Sequence, residues 1–247
     1  MSESKKDAYL HMTCTTDNSN GRKRIERNKN KWVNLGLTPI YVTSKLESAF
    51  NNRIKYSTSL LNGQFGCHQT HQRAWREFLK TNSMFILITE DDAFPINGDD
   101  LIKEIEIFAQ FCSEDSAPKF LQLGHVIFPK LNFVKWIVAL SKFIRIKKIY
   151  QGKYINTLSY GTHCYLINRS MAEFLITVNP YGILGLDTIL INIANSELGR
   201  NFDFRRLIFP VCLQERLDSS IPSDQEHKGR GSQKLTFQEK IACLAES

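Results

Sequence analysis

Short apolar runs alternate along this chain with longer stretches in which apolar residues recur every three or four positions. Residues 8–13 read as a first strand, followed by the polar turn TTDNSNG. Residues 22–37 then read as a helix with Ile25, Trp32, Val33 and Leu35 as its apolar positions, and Gly36 is a natural stop. Pro39 opens a second strand through residue 44. Strand, helix and strand in this order begin a βαβ unit, and therefore a parallel sheet. Residues 45–63 are polar and poorly periodic, a long connection. Residues 68–80 predict a helix that buries Ala74, Trp75, Phe78 and Leu79.

The run from Met84 to Ile88 has the length and β-branched content of a short buried strand. Residues 99–112 predict an amphipathic helix with Leu101, Ile105, Phe108 and Phe111 toward the core, and Pro118 breaks it. Residues 119–125 and 164–168 are further strand candidates, and Ser170 starts another helix. Residues 180–194 are almost wholly apolar, and residues 205–224 predict one more strand followed by a polar segment. The pattern describes an α/β fold, a single domain over residues 1–222 with a mostly parallel central sheet. Residues 223–247 form a polar C-terminal segment that ends in a short amphipathic helix. No internal repeat is visible.

One stretch departs from the alternation. Residues 126–149 combine bulky apolar side chains with Lys130, Lys135, Lys142, Arg145, Lys147 and Lys148 and contain no acidic residue. The apolar segments between charges are too short to span a bilayer. Two readings stand: an element packed on its own domain, or a basic surface carrying Trp136 and Phe143 that lies on an anionic membrane.

The chemistry concentrates where the strand at 84–88 ends, in Glu90, Asp91 and Asp92. Three adjacent carboxylates repel one another and have little room to relax at a strand end. They read either as a solvated loop that caps a helix or as a divalent-metal site. Open α/β sheets bind ligands at the carboxyl ends of their strands, and hard oxygen donors suit Mg²⁺ or Mn²⁺. Arg22, Lys23, Arg24 and Arg27 are either a solvated helix face or phosphate contacts. His68 and His71 share a helix face, but only Cys67 stands nearby, so they are weak as a metal pair. Asp187, alone in an apolar run, is either a helix cap or a carboxylate held in a pocket and suited to base chemistry.

Composition narrows the setting. At 247 residues and 42% hydrophobic, the chain can bury a substantial core. Its six cysteines are scattered with no C-x-x-C pair, which argues against a disulfide scaffold or structural zinc. The amino terminus lacks a long apolar segment, so no signal peptide is expected and a cytoplasmic setting is. A net charge of +7 suits a polyanionic partner: nucleic acid, an anionic membrane or a nucleotide diphosphate.

Several blocks, in order, resemble glycosyltransferase family 25. Gly66-Cys67-His68-Gln69-Thr70-His71 with Trp75 is followed by Ile88-Thr89-Glu90-Asp91-Asp92-Ala93. Leu123-Gly124 comes next, then Gly161-Thr162-His163 with Tyr165 and Ile167, Asp187, and finally Pro210, Gln214 and Ser219 or Ser220. The resemblance covers roughly residues 8–222. Thr70 stands where the family usually has Ser, the first strand departs from the family's pattern, and residues 126–149 do not align with it.

The resemblance implies a GT-A-type, Rossmann-like domain and metal-dependent transfer of a hexose, with inversion, from a UDP-sugar. Galactose is the sugar expected, and a saccharide or glycolipid such as lipopolysaccharide or lipooligosaccharide the acceptor. Asp92 would contact Mn²⁺ or Mg²⁺ with Asp91 beside it, and His163 would be a further ligand. Arg22 and Arg24 would approach the nucleotide, His71 would line the donor pocket, and Asp187 would be the base, with Glu90 and Asp91 as alternatives. Two other readings compete: a silent glycan- or nucleotide-sugar-binding relative, and a metal-dependent phosphotransferase on nucleic acid. Nucleic acid is not the expected partner. The sugar donor and the saccharide or glycolipid acceptor are, and residues 126–149 leave open a peripheral contact of the cytoplasmic enzyme with the inner face of a membrane.

Overall fold

The computed structural model describes residues 9–44, 62–125, 152–178, 180 and 184–214. The basic stretch 126–149, most of the 45–63 connection and the C-terminal segment lie outside the described residues. The described strands are β1 (Tyr9–Thr16), β2 (Ile40–Ser44), β3 (Phe85–Glu90), β4 (Ala93–Pro95), β5 (Lys119–Gly124), β6 (Tyr154–Ile155), β7 (Cys164–Asn168), β8 (Asp203–Leu207) and β9 (Cys212–Gln214). The helices are α1 (Ser19–Val33), α2 (Asn62–Leu79), α3 (Gly98–Glu114), α4 (Arg169–Val178) and α5 (Leu186–Ala194).

The strands form one sheet in the order β2-β1-β3-β7-β5-β8-β6, with β9 joining β5 and β4 joining β9. β1, β2, β3, β5, β8 and β9 share one direction, whereas β7, β6 and β4 run against it. The expected α/β fold with a mostly parallel central sheet is therefore present. Its single central reversal is β7, between β3 and β5.

Both faces of the sheet are covered, which is why β3 reads as a continuous apolar run rather than an alternating one. Ile86 and Ile88 pack into one core with Ala74, Trp75 and Phe78 of α2 and Met171 and Leu175 of α4. Phe85 and Leu87 pack into the other, with Trp32 of α1 and Leu101, Ile105 and Phe108 of α3. β7 divides likewise, Tyr165 and Ile167 facing α2 and Cys164 and Leu166 facing the opposite side.

The departures from the sequence pattern have local causes. α1 starts at Ser19, capped by Asn18, whose side chain accepts from the Gly21 amide. Its inward stripe is Gly21, Arg24, Asn28 and the expected Trp32; Leu35, just past the helix, packs half-buried on the same core, whereas Ile25 is half-buried off the stripe and Val33 is exposed. The helix turns a polar stripe inward because a buried carboxylate waits for it there. α2 begins at Asn62, several residues before the expected start. The single strand expected within residues 205–224 is two, β8 and β9, with Pro210 between them. β4 and β6 are too short to carry a pattern of their own. No described helix is long and apolar enough to cross a membrane.

Candidate active site

The parity of β3 sorts the carboxylates. Ile86, Ile88 and Glu90 point to the α2 face, and Phe85, Leu87 and Thr89 to the α1 face, as the pleat requires. Asp91 continues the second series. Its carboxylate takes two parallel hydrogen bonds from Arg24, Nε to Oδ1 at 2.7 Å and Nη2 to Oδ2 at 3.0 Å. Thr15 Oγ1 donates to Oδ2 at 2.6 Å, Asn28 donates to the Asp91 carbonyl at 3.1 Å, and the Asp91 amide donates to the Cys14 carbonyl at 3.0 Å. Gly21 makes this approach feasible, since a Cβ there would lie 2.2 Å from the Thr16 carbonyl oxygen. The same face carries a buried polar row behind Asp91, in which Thr89 Oγ1 bonds Thr13 Oγ1 and His11 Nε2.

Glu90 and Asp92 are held differently. The Gln214 amide on β9 donates to both, at 3.3 Å to Glu90 Oε2 and 3.2 Å to Asp92 Oδ2. Asp92 is buried, and its Oδ1 has no hydrogen-bond partner. The bland reading of the acidic stretch, a solvated loop that caps a helix, does not hold: Asn97 caps α3. Burial, with neighbouring carboxylates adding to it, pushes Glu90 up to about 7 and Asp92 up to about 8.

His71 and Asp187 close the α2 side. His71 is fully buried, its Nδ1 is 2.7 Å from the Tyr165 hydroxyl, and its Nε2 is 3.5 Å from Glu90 Oε1. Trp75 Nε1 donates to the same hydroxyl at 3.1 Å. Burial lowers His71 to about 4, so it is a neutral imidazole near pH 7. Asp187 lies in the first turn of α5 and accepts from the Gly161 amide at 3.0 Å through Oδ2, while Oδ1 is buried without a partner. Gly161 holds φ at 107°, a backbone region that disfavours side chains, and so points its amide at the carboxylate. Burial raises Asp187, and its bonds to Gly161 and Thr162 oppose the rise.

The structure thus gathers Arg24, Asp91, Glu90, Asp92, His71 and Asp187 at the carboxyl end of β3. Two residues expected there sit apart. Arg22 is exposed at the start of α1 and pairs with Asp17 at 3.2 Å. The His163 carbonyl accepts from the Glu90 amide at 2.8 Å, but its ring lies across Gly124, where a Cβ would come within 2.5 Å of Nε2. Arg24, expected to approach the nucleotide, has its guanidinium committed to Asp91, and Asp91 in turn faces α1 rather than Asp92. Sequence reasoning missed Thr15 and Asn28, although Asn28 follows Arg24 by four residues and so shares its helix face.

The carboxylates thus gather at the strand ends of an α/β sheet, where open sheets of this class bind their ligands. The family model of glycosyltransferase family 25, described as LPS biosynthesis protein, matches residues 21–190, and the chain belongs to that family. Among solved structures, A197 from STIV is similar with a TM-score of 0.40 and 11% identity over 83% of this chain and 82% of that one. A glycosyltransferase involved in the glycosylation of the major capsid of PBCV-1 is similar with a TM-score of 0.34 and 10% identity, over 80% and 72% respectively. Neither likeness bears on the site. No curated protein matches the chain in sequence.

Proposed function

We propose that this glycosyltransferase moves a hexose, galactose from UDP-galactose, to a saccharide or glycolipid acceptor with inversion. The observation that supports the reading is the partnerless oxygen of buried Asp92, which shares the Gln214 amide with Glu90. A buried acceptor atom without a donor is costly, and a hard cation satisfies it. Asp92 and Glu90 would hold Mn²⁺ or Mg²⁺, which when bound neutralises charge on a leaving diphosphate.

Asp187 is the base in this reading. Its Oδ2 is fixed by the Gly161 amide and its Oδ1 is free to take a proton. The acceptor hydroxyl oxygen attacks the anomeric carbon as its proton passes to Asp187. The bond from that carbon to the diphosphate oxygen breaks on the opposite side, and UDP leaves with the electron pair. His71, neutral and held by Tyr165, lines the donor side. The basic stretch 126–149 would rest on an anionic membrane that carries the glycolipid acceptor.

A thermal-shift and turnover screen of UDP-sugars, with and without Mn²⁺, on wild type and Asp92→Ala tests this. A donor at a hundredfold over its Kd should add about 2.7 kcal/mol of stability to the wild type only. If no UDP-sugar stabilises the wild type or is turned over, the reading is wrong.

A further inference from the structure

Cys67 and His71 are four residues apart on α2 and so share one face of the helix. That face meets Glu90 at the end of β3. Cys67 Sγ lies 3.6 Å from Glu90 Oε1, and His71 Nε2 lies 3.5 Å from the same oxygen. All three ligand atoms fall within 4.8 Å of one another. Tetrahedral zinc with bonds of about 2.0–2.3 Å sets its ligand atoms roughly 3.3–3.6 Å apart, so two of the three edges are already at that length. His71 Nε2 is fully buried, has no hydrogen-bond partner, and is aimed at this gap. At 3.5 Å, Glu90 is too distant to be that partner. The other ring nitrogen is oriented by Tyr165, as ligating histidines are oriented by an outer partner.

We propose that Cys67, His71 and Glu90 form a cation site for a thiophilic divalent ion of the zinc class, distinct from the hard-oxygen position at Asp92. Its fourth position is open to water. Binding exchanges the Cys67 thiol proton for a metal–sulfur bond, and the proton passes to solvent. The two sites are coupled through one side chain. Glu90 Oε1 faces Cys67 and His71, whereas Oε2 faces Gln214 beside Asp92. A zinc-class ion that draws Glu90 toward α2 withdraws it from Asp92, and so opposes any cation bound there. The zinc-class site itself does not depend on the transferase reading.

The test is optical and needs no donor or acceptor. The full chain, stripped with chelator, is titrated with Co²⁺. A near-ultraviolet thiolate-to-cobalt band and the visible bands of a four-coordinate ion are expected, with Zn²⁺ abolishing both at one equivalent. Excess Mn²⁺, competing only for Glu90, should raise the Co²⁺ needed without removing the bands as Zn²⁺ does. Cys67→Ser, a near-isosteric change at a half-buried position, should remove the near-ultraviolet band. Tyr165→Phe, with folding checked by circular dichroism, should weaken Co²⁺ by about ten- to a hundredfold. The proposal is overturned if wild type gives no thiolate band, if the band survives in Cys67→Ser, or if Mn²⁺ displaces Co²⁺ as readily as Zn²⁺ does. Retention of the band in a protein that transfers no sugar would sink the transferase reading and leave this one standing.

Discussion

Arg24 grips Asp91 through a two-pronged contact of 2.7 and 3.0 Å, with both side chains buried between α1 and the sheet. The middle carboxylate of the acidic stretch is thereby an anchor. It ties the β3 end to α1 and leaves its neighbours, Glu90 and Asp92, directed elsewhere. Removing one partner of a buried pair leaves an uncompensated charge, which costs about 3–5 kcal/mol. Arg24→Ala should therefore lose stability of that order in urea unfolding. Arg24→Lys, which keeps the charge but not the fork, should lose less. A cost for Arg24→Ala under about 1 kcal/mol, the range of surface pairs, would show that the contact anchors nothing.

The raised carboxylates make stability depend on pH in a defined direction. Glu90 keeps its proton to about pH 7 and Asp92 to about pH 8 in the folded chain, against roughly 4 when unfolded. The folded state binds more protons in between, so their contribution is complete below about pH 4 and is lost as pH rises through 7 and 8. Below about pH 6.5 the buried histidines His11, His71 and His125, all lowered by burial, act in the opposite sense. In chelator, Tm should fall between about pH 7 and 8.5. Asp92→Asn should flatten that slope, and a wild-type Tm that climbs over the interval contradicts the assignment.

Asp187→Asn keeps the size of the side chain and removes the proposed base. Turnover of a UDP-sugar should drop by about 10²–10⁴-fold, with Mn²⁺-dependent donor stabilisation in thermal shift unchanged. Loss of donor binding along with turnover would instead assign Asp187 to the binding pocket.

Tyr165 is the shared partner of two buried groups, His71 Nδ1 and Trp75 Nε1. Tyr165→Phe leaves both without it, at about 1–3 kcal/mol each. Thermal unfolding of the metal-free protein measures this directly. A change under about 0.5 kcal/mol would mean that water or rearrangement replaces the hydroxyl.

Much of this was legible in order of residues. The apolar runs placed β1, β2, β3, β5 and β7 to within a few residues, because a strand buried on both faces must be apolar throughout. The CYLIN run coincides with β7 from Cys164 to Asn168. The acidic stretch marked the place where Glu90, Asp91 and Asp92 gather, since three carboxylates crowded at a buried strand end repel one another and call for compensation. α1 was misjudged because its periodicity is polar: Arg24 and Asn28 face inward to Asp91, and a charged stripe reads as solvent-facing until its partner is known.

Local sequence thus carried the longer strands, most of the helices and the family, each written in short-range periodicity or in motifs of a few residues. Partnership across long separations was beyond it. Which of three adjacent carboxylates is paired, which shares an amide with Gln214, and which meets Cys67 and His71 depends on the face of β3 each occupies and on the helix packed there. Pleat parity divides Glu90 from Asp91, but only the docking of α1 on one face and α2 on the other turns that parity into distinct chemistry.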